Sequence, residues 1–138
     1  MTSLVSLPAG VTVLERGWLS ANNVLLCDAD NATLVDSGYV THQEQTLALV
    51  DHALQGRALD QLANTHLHSD HCGGNQALQA RYPNMQTWIP PGLAREIQAW
   101  RDDALSYKPT GQSCPAFSFT GLLQPGESHR WGNMDWEV

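Results

Sequence analysis

The apolar positions divide the chain into an opening run of short strands and a later part in which strands and helices take turns. Residues 11–15 alternate loosely, while residues 23–28 and 32–36 are apolar runs bounded by Asp, Asn and Gly, the pattern of short strands. Asp30 and Asn31 supply the turn between the latter two. Over residues 41–56 the period changes. Leu47, Val50 and Leu54 recur at helical spacing, Thr41 and Glu44 have capping-box form, and Gly56 ends the run. A strand at 59–64 is followed by a short helix at 75–82 closed by Pro83 and a strand at 85–89. A helix then runs from Pro91 to about Leu105, with Ile97 and Trp100 facing inward. The rest reads as loop as far as Gly121. The order β-β-β-α-β-α-β-α predicts an α/β sheet, whose ligand sites lie at strand ends. No internal repeat or low-complexity tract interrupts it.

With 138 residues the chain makes one domain, spanning 1–138, that buries about two-thirds of its unfolded surface. Charged residues are 15% of the total, against roughly 25% in ordinary soluble domains, so some face expects a cover. The formal net charge is −7 and Lys108 is the only lysine, which leaves no basic stripe for a phosphate backbone. Nucleic acid is therefore not an expected partner. The first residues carry no positive leader and no long apolar run, so neither a signal peptide nor a membrane span is expected, and the default location is cytoplasmic. Cys27, Cys72 and Cys114 form no C-x-x-C pair and read as free thiols of a reducing compartment.

Candidate chemistry is concentrated in seven positions. Thr65, His66, Leu67, His68, Ser69, Asp70 and His71 hold three imidazoles and a carboxylate, the ligands that zinc, iron(II) and manganese take. If residues 59–64 form a strand, His66 and His68 project to one side just beyond it, and Asp70 and His71 follow where the chain turns toward a helix. Cys72 follows His71 directly; a soft thiolate there could ligate a metal, and the alternative is a small residue packed at a helix start.

This H-x-H-x-D-H pattern, with Gly73, Gly74 and Asn75 after it and Leu34, Val35, Asp36, Ser37 and Gly38 upstream, resembles the metallo-β-lactamase superfamily. Gly-Gly-Asn points mildly toward members like hydroxyacylglutathione hydrolase. The resemblance implies an αββα sandwich of two similar halves, of which this chain is the N-terminal half, truncated at its C-terminus. Residues 122–138 then read as the hairpin that precedes the family's next ligand segment. His129 lacks the Pro-Gly-His context of that ligand. Trp131 and Trp136 become candidates for an exposed face that the missing half covers.

The resemblance further implies that His66 and His68 hold a first ion and Asp70 and His71 a second. Each set would be completed by the absent half or by a second copy of the chain. One or two zinc ions are expected, with iron or manganese as alternatives. A metal-bound hydroxide would attack an ester, thioester, lactam or similar bond of a small-molecule substrate, with Asp70 also orienting the water. Asp36 would steady the ligands from behind; its alternative is a carboxylate of a strand-end turn. Two other functions stay open: an iron-dependent oxidoreductase of the same fold and a non-catalytic metal-binding module. Of the remaining residues, His42 and His52 lie roughly 1000° apart around their helix and read as surface residues. Trp18 reads as a packing aromatic or the tip of a flap. Tyr107 and Lys108 are loop residues able to touch substrate.

Overall fold

A computed structural model of the chain describes residues 6–17 and 20–138; Trp18 lies outside the described residues. Val11–Leu14 (β1), Asn23–Cys27 (β2), Ala32–Val35 (β3), Gln61–Ala63 (β4), Gln86–Ile89 (β5) and Gly121–Leu122 (β6) form one sheet in that spatial order. The pairs β1/β2 and β2/β3 are antiparallel, and the pairs from β3 to β6 are parallel. Parallel neighbours need crossovers. Gln43–Leu54 (α1) supplies the first, Ser69–Cys72 (α2) and Asn75–Arg81 (α3) the second, and Ala94–Ala99 (α4) with Asp102–Leu105 (α5) the third. Ser128–Trp131 (β7) and Met134–Glu137 (β8) make a separate hairpin. Among the described residues no helix is long and apolar enough to cross a membrane.

The two-residue period of the strands sorts side chains onto two faces. Leu25, Leu34 and Leu62 join Val50 and Leu54 of α1 and Leu78 of α3 in one core. Leu26, Ala63 and the partly buried Val24, Val35 and Trp88 point the other way and pack with Trp131 and Met134 of the hairpin. Fully burying a leucine stabilises by about 1.5–3 kcal/mol, so the Leu25–Leu34–Leu62 row fixes strand register before any polar contact does. A third cluster, comprising Leu67, Cys72, Ile89, Ile97, Leu105, Tyr107 and Phe117, joins the last crossover to the histidine motif.

Three expectations are corrected. The helix expected from Pro91 to Leu105 is a 3₁₀ turn, Pro91–Leu93, followed by two short helices. It breaks at Trp100, which sits in the left-handed region (φ 48°) and closes α4 with its N–H on the Glu96 and Ile97 carbonyls. That conformation costs roughly 1–2 kcal/mol. It is held by the Trp100 ring packing on Phe117 and Tyr107, with centroids 5.3 and 6.1 Å away. The capping box at Thr41 does not form, because Val40–His42 is a 3₁₀ turn and His42 takes the N-cap position without a side-chain bond. The first turn is secured from outside instead: the Arg16 guanidinium donates to Thr46 Oγ1 (2.7 Å) and Asn23 Oδ1 (2.8 Å). Trp131, expected on an exposed face, is buried against Leu26 and Ala63, and its Nε1 donates to Gln61 Oε1 (3.2 Å); Trp136 is exposed.

Candidate functional site

Because β3, β4 and β5 run parallel, the residues that leave their C-terminal ends meet at one edge of the sheet, where such sheets bind ligands. Asp36 leaves β3, Asn64 to His66 leave β4, and Pro90 leaves β5. The ladder extends one step past the strands: the Asp36 N–H donates to the Ala63 carbonyl (2.9 Å) and the Asn64 N–H to the Trp88 carbonyl (3.0 Å). Behind this edge lies a buried polar network. Ser37 Oγ donates to Asn75 Oδ1 (2.7 Å), Asn75 Nδ2 to Asn64 Oδ1 (2.7 Å), and Asn64 Nδ2 to the His71 carbonyl (3.2 Å). Buried amides with satisfied partners hold one geometry, so the network clamps α2 onto the ends of β3 and β4. The approach is close enough that a Cβ on Gly74 would sit 2.4 Å from the Ser37 carbonyl oxygen.

Asp36 is the centre of the site's second layer of bonds. It is buried and holds φ 62°, a conformation that Asp tolerates better than most residues. Its Oδ1 accepts the Thr65 N–H (2.9 Å), and its Oδ2 accepts both the Thr65 hydroxyl (2.7 Å) and His71 Nδ1 (2.8 Å). Two tautomers follow from counting protons. An ionised Asp36 only accepts, so His71 carries its proton on Nδ1 and leaves a lone pair on Nε2. The single Thr65 proton is committed to Asp36, so the contact between Thr65 Oγ1 and His66 Nδ1 (3.0 Å) needs the proton on His66, and His66 Nε2 is free as well. One carboxylate and one hydroxyl thereby set two imidazoles with Nε2 available, the arrangement in which outer groups orient metal-binding histidines.

The four motif side chains come together. The His66 ring lies 4.5 Å from that of His68 and 3.8 Å from that of His71, centroid to centroid, and His71 Nε2 lies 3.6 Å from Asp70 Oδ2. Among the described residues, no three His, Cys, Asp or Glu side chains are arranged to close around an ion. What the motif presents is imidazole and carboxylate donors, a chemistry that fits zinc, iron(II) or manganese. Burial, helped by the neighbouring His71 and His68, holds the His66 pKa below its ordinary 6.5. The unfolded chain therefore takes up this proton more readily than the folded one. The His66 contribution to stability is complete above about pH 6.5 and is lost as the pH falls below it. The melting temperature of the metal-free chain is expected to fall between about pH 7.5 and pH 5.5, and to fall less in His66→Asn; equal falls in both would refute the sign.

Beside the histidines opens a cavity of about 620 Å³, lined by His66, His68, Pro90, Leu93, Leu105 and Tyr107 among others. That is within the range of small-molecule sites. Tyr107, read from the sequence as a loop residue, is thus a wall of this cavity, and its hydroxyl donates to the Leu67 carbonyl between His66 and His68 (2.7 Å). Burial pushes its pKa up. Lys108 instead lines a smaller neighbouring surface cavity. Cys72 is the last residue of α2, fully buried, with its sulfur 3.3 Å from Tyr107 Oη and 3.8 Å from Cys114 Sγ. Hydrogen bonding with Cys114 lowers the Cys72 pKa against the opposing effect of burial, and raises that of Cys114. His42 bonds Ser20 Oγ at 3.3 Å, His52 is exposed, and His129 packs between the Trp88 and Trp131 rings. Sequence reasoning passed over Thr65 and Asn64. The available signal was a hydroxyl and an amide placed immediately before the first histidine.

Residues 16–136 match the family model of the metallo-β-lactamase superfamily. Over 67 residues the chain is 40% identical to a hydroxyacylglutathione hydrolase of Stenotrophomonas maltophilia, a match covering 49% of this chain and 24% of that protein. In structure it is similar to a metallo-β-lactamase of Cronobacter sakazakii with a HARLDQ motif, at TM-score 0.70 and 22% identity, over 89% of this chain and 46% of that one. It is also similar to the FEZ-1 metallo-β-lactamase of Legionella gormanii, at TM-score 0.73 and 13% identity, over 91% of this chain and 48% of that one. The chain spans about half the length of these solved structures, as half of a sandwich does.

Proposed function

The chain belongs to the metallo-β-lactamase superfamily, and on that footing we propose that it carries the histidine-rich part of a metal-dependent hydrolase active site. The observation that supports this most is the Asp36–Thr65 pair, which leaves the Nε2 lone pairs of His66 and His71 free beside a cavity. His66 and His68 would hold one ion, Asp70 and His71 a second, and zinc is the first choice for such ligands. When bound, the ion supplies Lewis acidity and makes water acidic enough to be a nucleophile near neutral pH. The chain's own groups do the rest. Asp70, half exposed beside His71, orients the attacking water; Thr65 and Asp36 hold the imidazoles; Leu93, Leu105 and Tyr107 exclude bulk water from one side of the substrate. Donors from the remainder of a longer protein, or from a second copy of the chain, would complete each ion's coordination.

For substrate we infer a small acyl compound, with a glutathione thioester ahead of a β-lactam. The likeness to the hydroxyacylglutathione hydrolase is at the level of sequence, whereas that to the β-lactamases is one of fold. The test is hydrolysis of a hydroxyacylglutathione and of a β-lactam, followed by absorbance, before and after chelation and after return of zinc, iron or manganese. Thioester turnover that chelation abolishes and zinc restores is expected. Turnover indifferent to chelation would overturn the proposal, and iron-dependent oxygen uptake would replace it with the oxidoreductase reading.

A further inference from the structure

Cys72 and Cys114 are 42 positions apart in sequence, yet their sulfurs lie 3.8 Å from each other. The pair has a deep member and an accessible one. Cys72 is fully buried, while Cys114 is half-buried and lines a surface cavity of about 350 Å³ together with Tyr107, Lys108, Gln112 and Ser113. Cys114 belongs to an irregular stretch between the 3₁₀ turn at Lys108–Thr110 and β6, free of ladder bonds that would resist a small shift. Other contacts already dock this stretch on α2: Ser69 Oγ donates to Gln112 Oε1, and Cys114 Sγ approaches the Cys72 carbonyl at 3.9 Å. A disulfide needs sulfurs about 2.05 Å apart, so the two must close by roughly 1.8 Å, a shift that falls to the irregular Cys114 side.

We propose that Cys72 and Cys114 form a reversible intramolecular disulfide when the chain meets a peroxide. The peroxide transfers one oxygen to the Cys114 sulfur and leaves as water, giving a sulfenic acid. The Cys72 sulfur then attacks the Cys114 sulfur, the S–O bond breaks, and the hydroxyl departs as a second water with the Cys72 proton. Two thiols are oxidised by two electrons in all, and the peroxide is reduced to water. A dithiol reverses the step by thiol–disulfide exchange. The cross-link joins to α2 the stretch that follows the Lys108–Thr110 turn, of which Gln112 lines the histidine-side cavity. In the reduced protein, Tyr107 Oη stands between the Cys72 sulfur and the Leu67 carbonyl of the histidine loop, so the modification lies one hydrogen bond from that loop. The inference stands on the thiol geometry and does not depend on metal binding.

The test is thiol titration with intact mass and peptide mapping, before and after hydrogen peroxide and then after dithiothreitol. Of the three cysteines, two are expected to disappear and Cys27 to remain, with a mass loss of two hydrogens, a peptide linking 72 to 114, and full recovery on reduction. Cys114→Ser, which changes the more accessible member, is expected to yield no linked peptide. Cys72→Ala is the counterpart in the core. Three thiols surviving a peroxide dose that oxidises free glutathione would overturn the proposal. Oxygen addition to Cys114 without a link, or linkage between chains through Cys27, would overturn it equally, and the wild-type map reads both without relying on a variant.

Discussion

Asp36→Ala is expected to weaken binding of a divalent ion by about 10- to 100-fold, the range seen when a group orienting a metal-binding histidine is lost. It is also expected to lower stability by about 1–3 kcal/mol, the cost of leaving buried donors without their acceptor. The carboxylate accepts three hydrogen bonds, from the Thr65 amide, the Thr65 hydroxyl and His71 Nδ1, and alanine accepts none. Thr65 is then free to turn its proton toward His66, and His71 loses the bond that selects its tautomer. Alanine must also adopt φ 62°, which costs about 1 kcal/mol more. Asp36→Asn separates the causes. Asparagine tolerates the left-handed region and keeps one acceptor oxygen, so most of the stability should return while the affinity stays low. Zinc titration and urea melts of the wild type and both variants read the two quantities. An Asp36→Ala protein with wild-type affinity would remove Asp36 from the site.

Gly74→Ala is expected to lower stability by about 3 kcal/mol, the upper end for forcing a methyl group into filled space. For a chain of this size that is a fall of roughly 10 °C in melting temperature. The new Cβ would lie 2.4 Å from the Ser37 carbonyl oxygen and 3.2 Å from Ser37 Cβ. Backbone cannot swing aside as the end of a side chain can, so the start of α3, which Gly74 caps, must back away from the segment after β3. That movement stretches the Gly74 N–H to Ser37 Oγ bond (3.1 Å) and the Ser37–Asn75–Asn64 network behind the histidines. Gly92→Ala is the control, since nothing lies within 4 Å of its Cβ position. A Gly74→Ala melt within a degree of Gly92→Ala would show that the clamp is slack.

What the sequence made legible was local. The strands β2 to β5, the long helix α1 and the grouping of His66, His68, Asp70 and His71 are all encoded within windows of about ten residues, where periodicity and motif spacing operate. Asp36 stood out through the strand-end pattern Leu34 to Gly38, but its partners could not be read there, because Thr65 reaches it across 29 positions and His71 across 35. Cys72 and Cys114 carried no spacing signal, since they are 42 positions apart and only the path of the third crossover brings them together. The break at Trp100 was hidden for a different reason. Helical spacing of Ile97 and Trp100 is satisfied up to the break, and what ends the helix is aromatic packing on Tyr107 and Phe117, a tertiary effect that outweighs local propensity. Thr41 and Glu44 had the letters of a capping box, yet Arg16 from a distant segment organised that helix start instead.

The most direct test of the metal centre is competitive zinc titration against a chromophoric chelator, run on the wild-type chain, His68→Ala and Asp70→Ala at neutral pH. His68 is exposed and Asp70 half exposed, so both variants should fold and report binding alone. The expected result is zinc binding by the wild type that weakens in each variant. Variants that bind zinc as tightly as the wild type does would contradict a metal centre built on these residues.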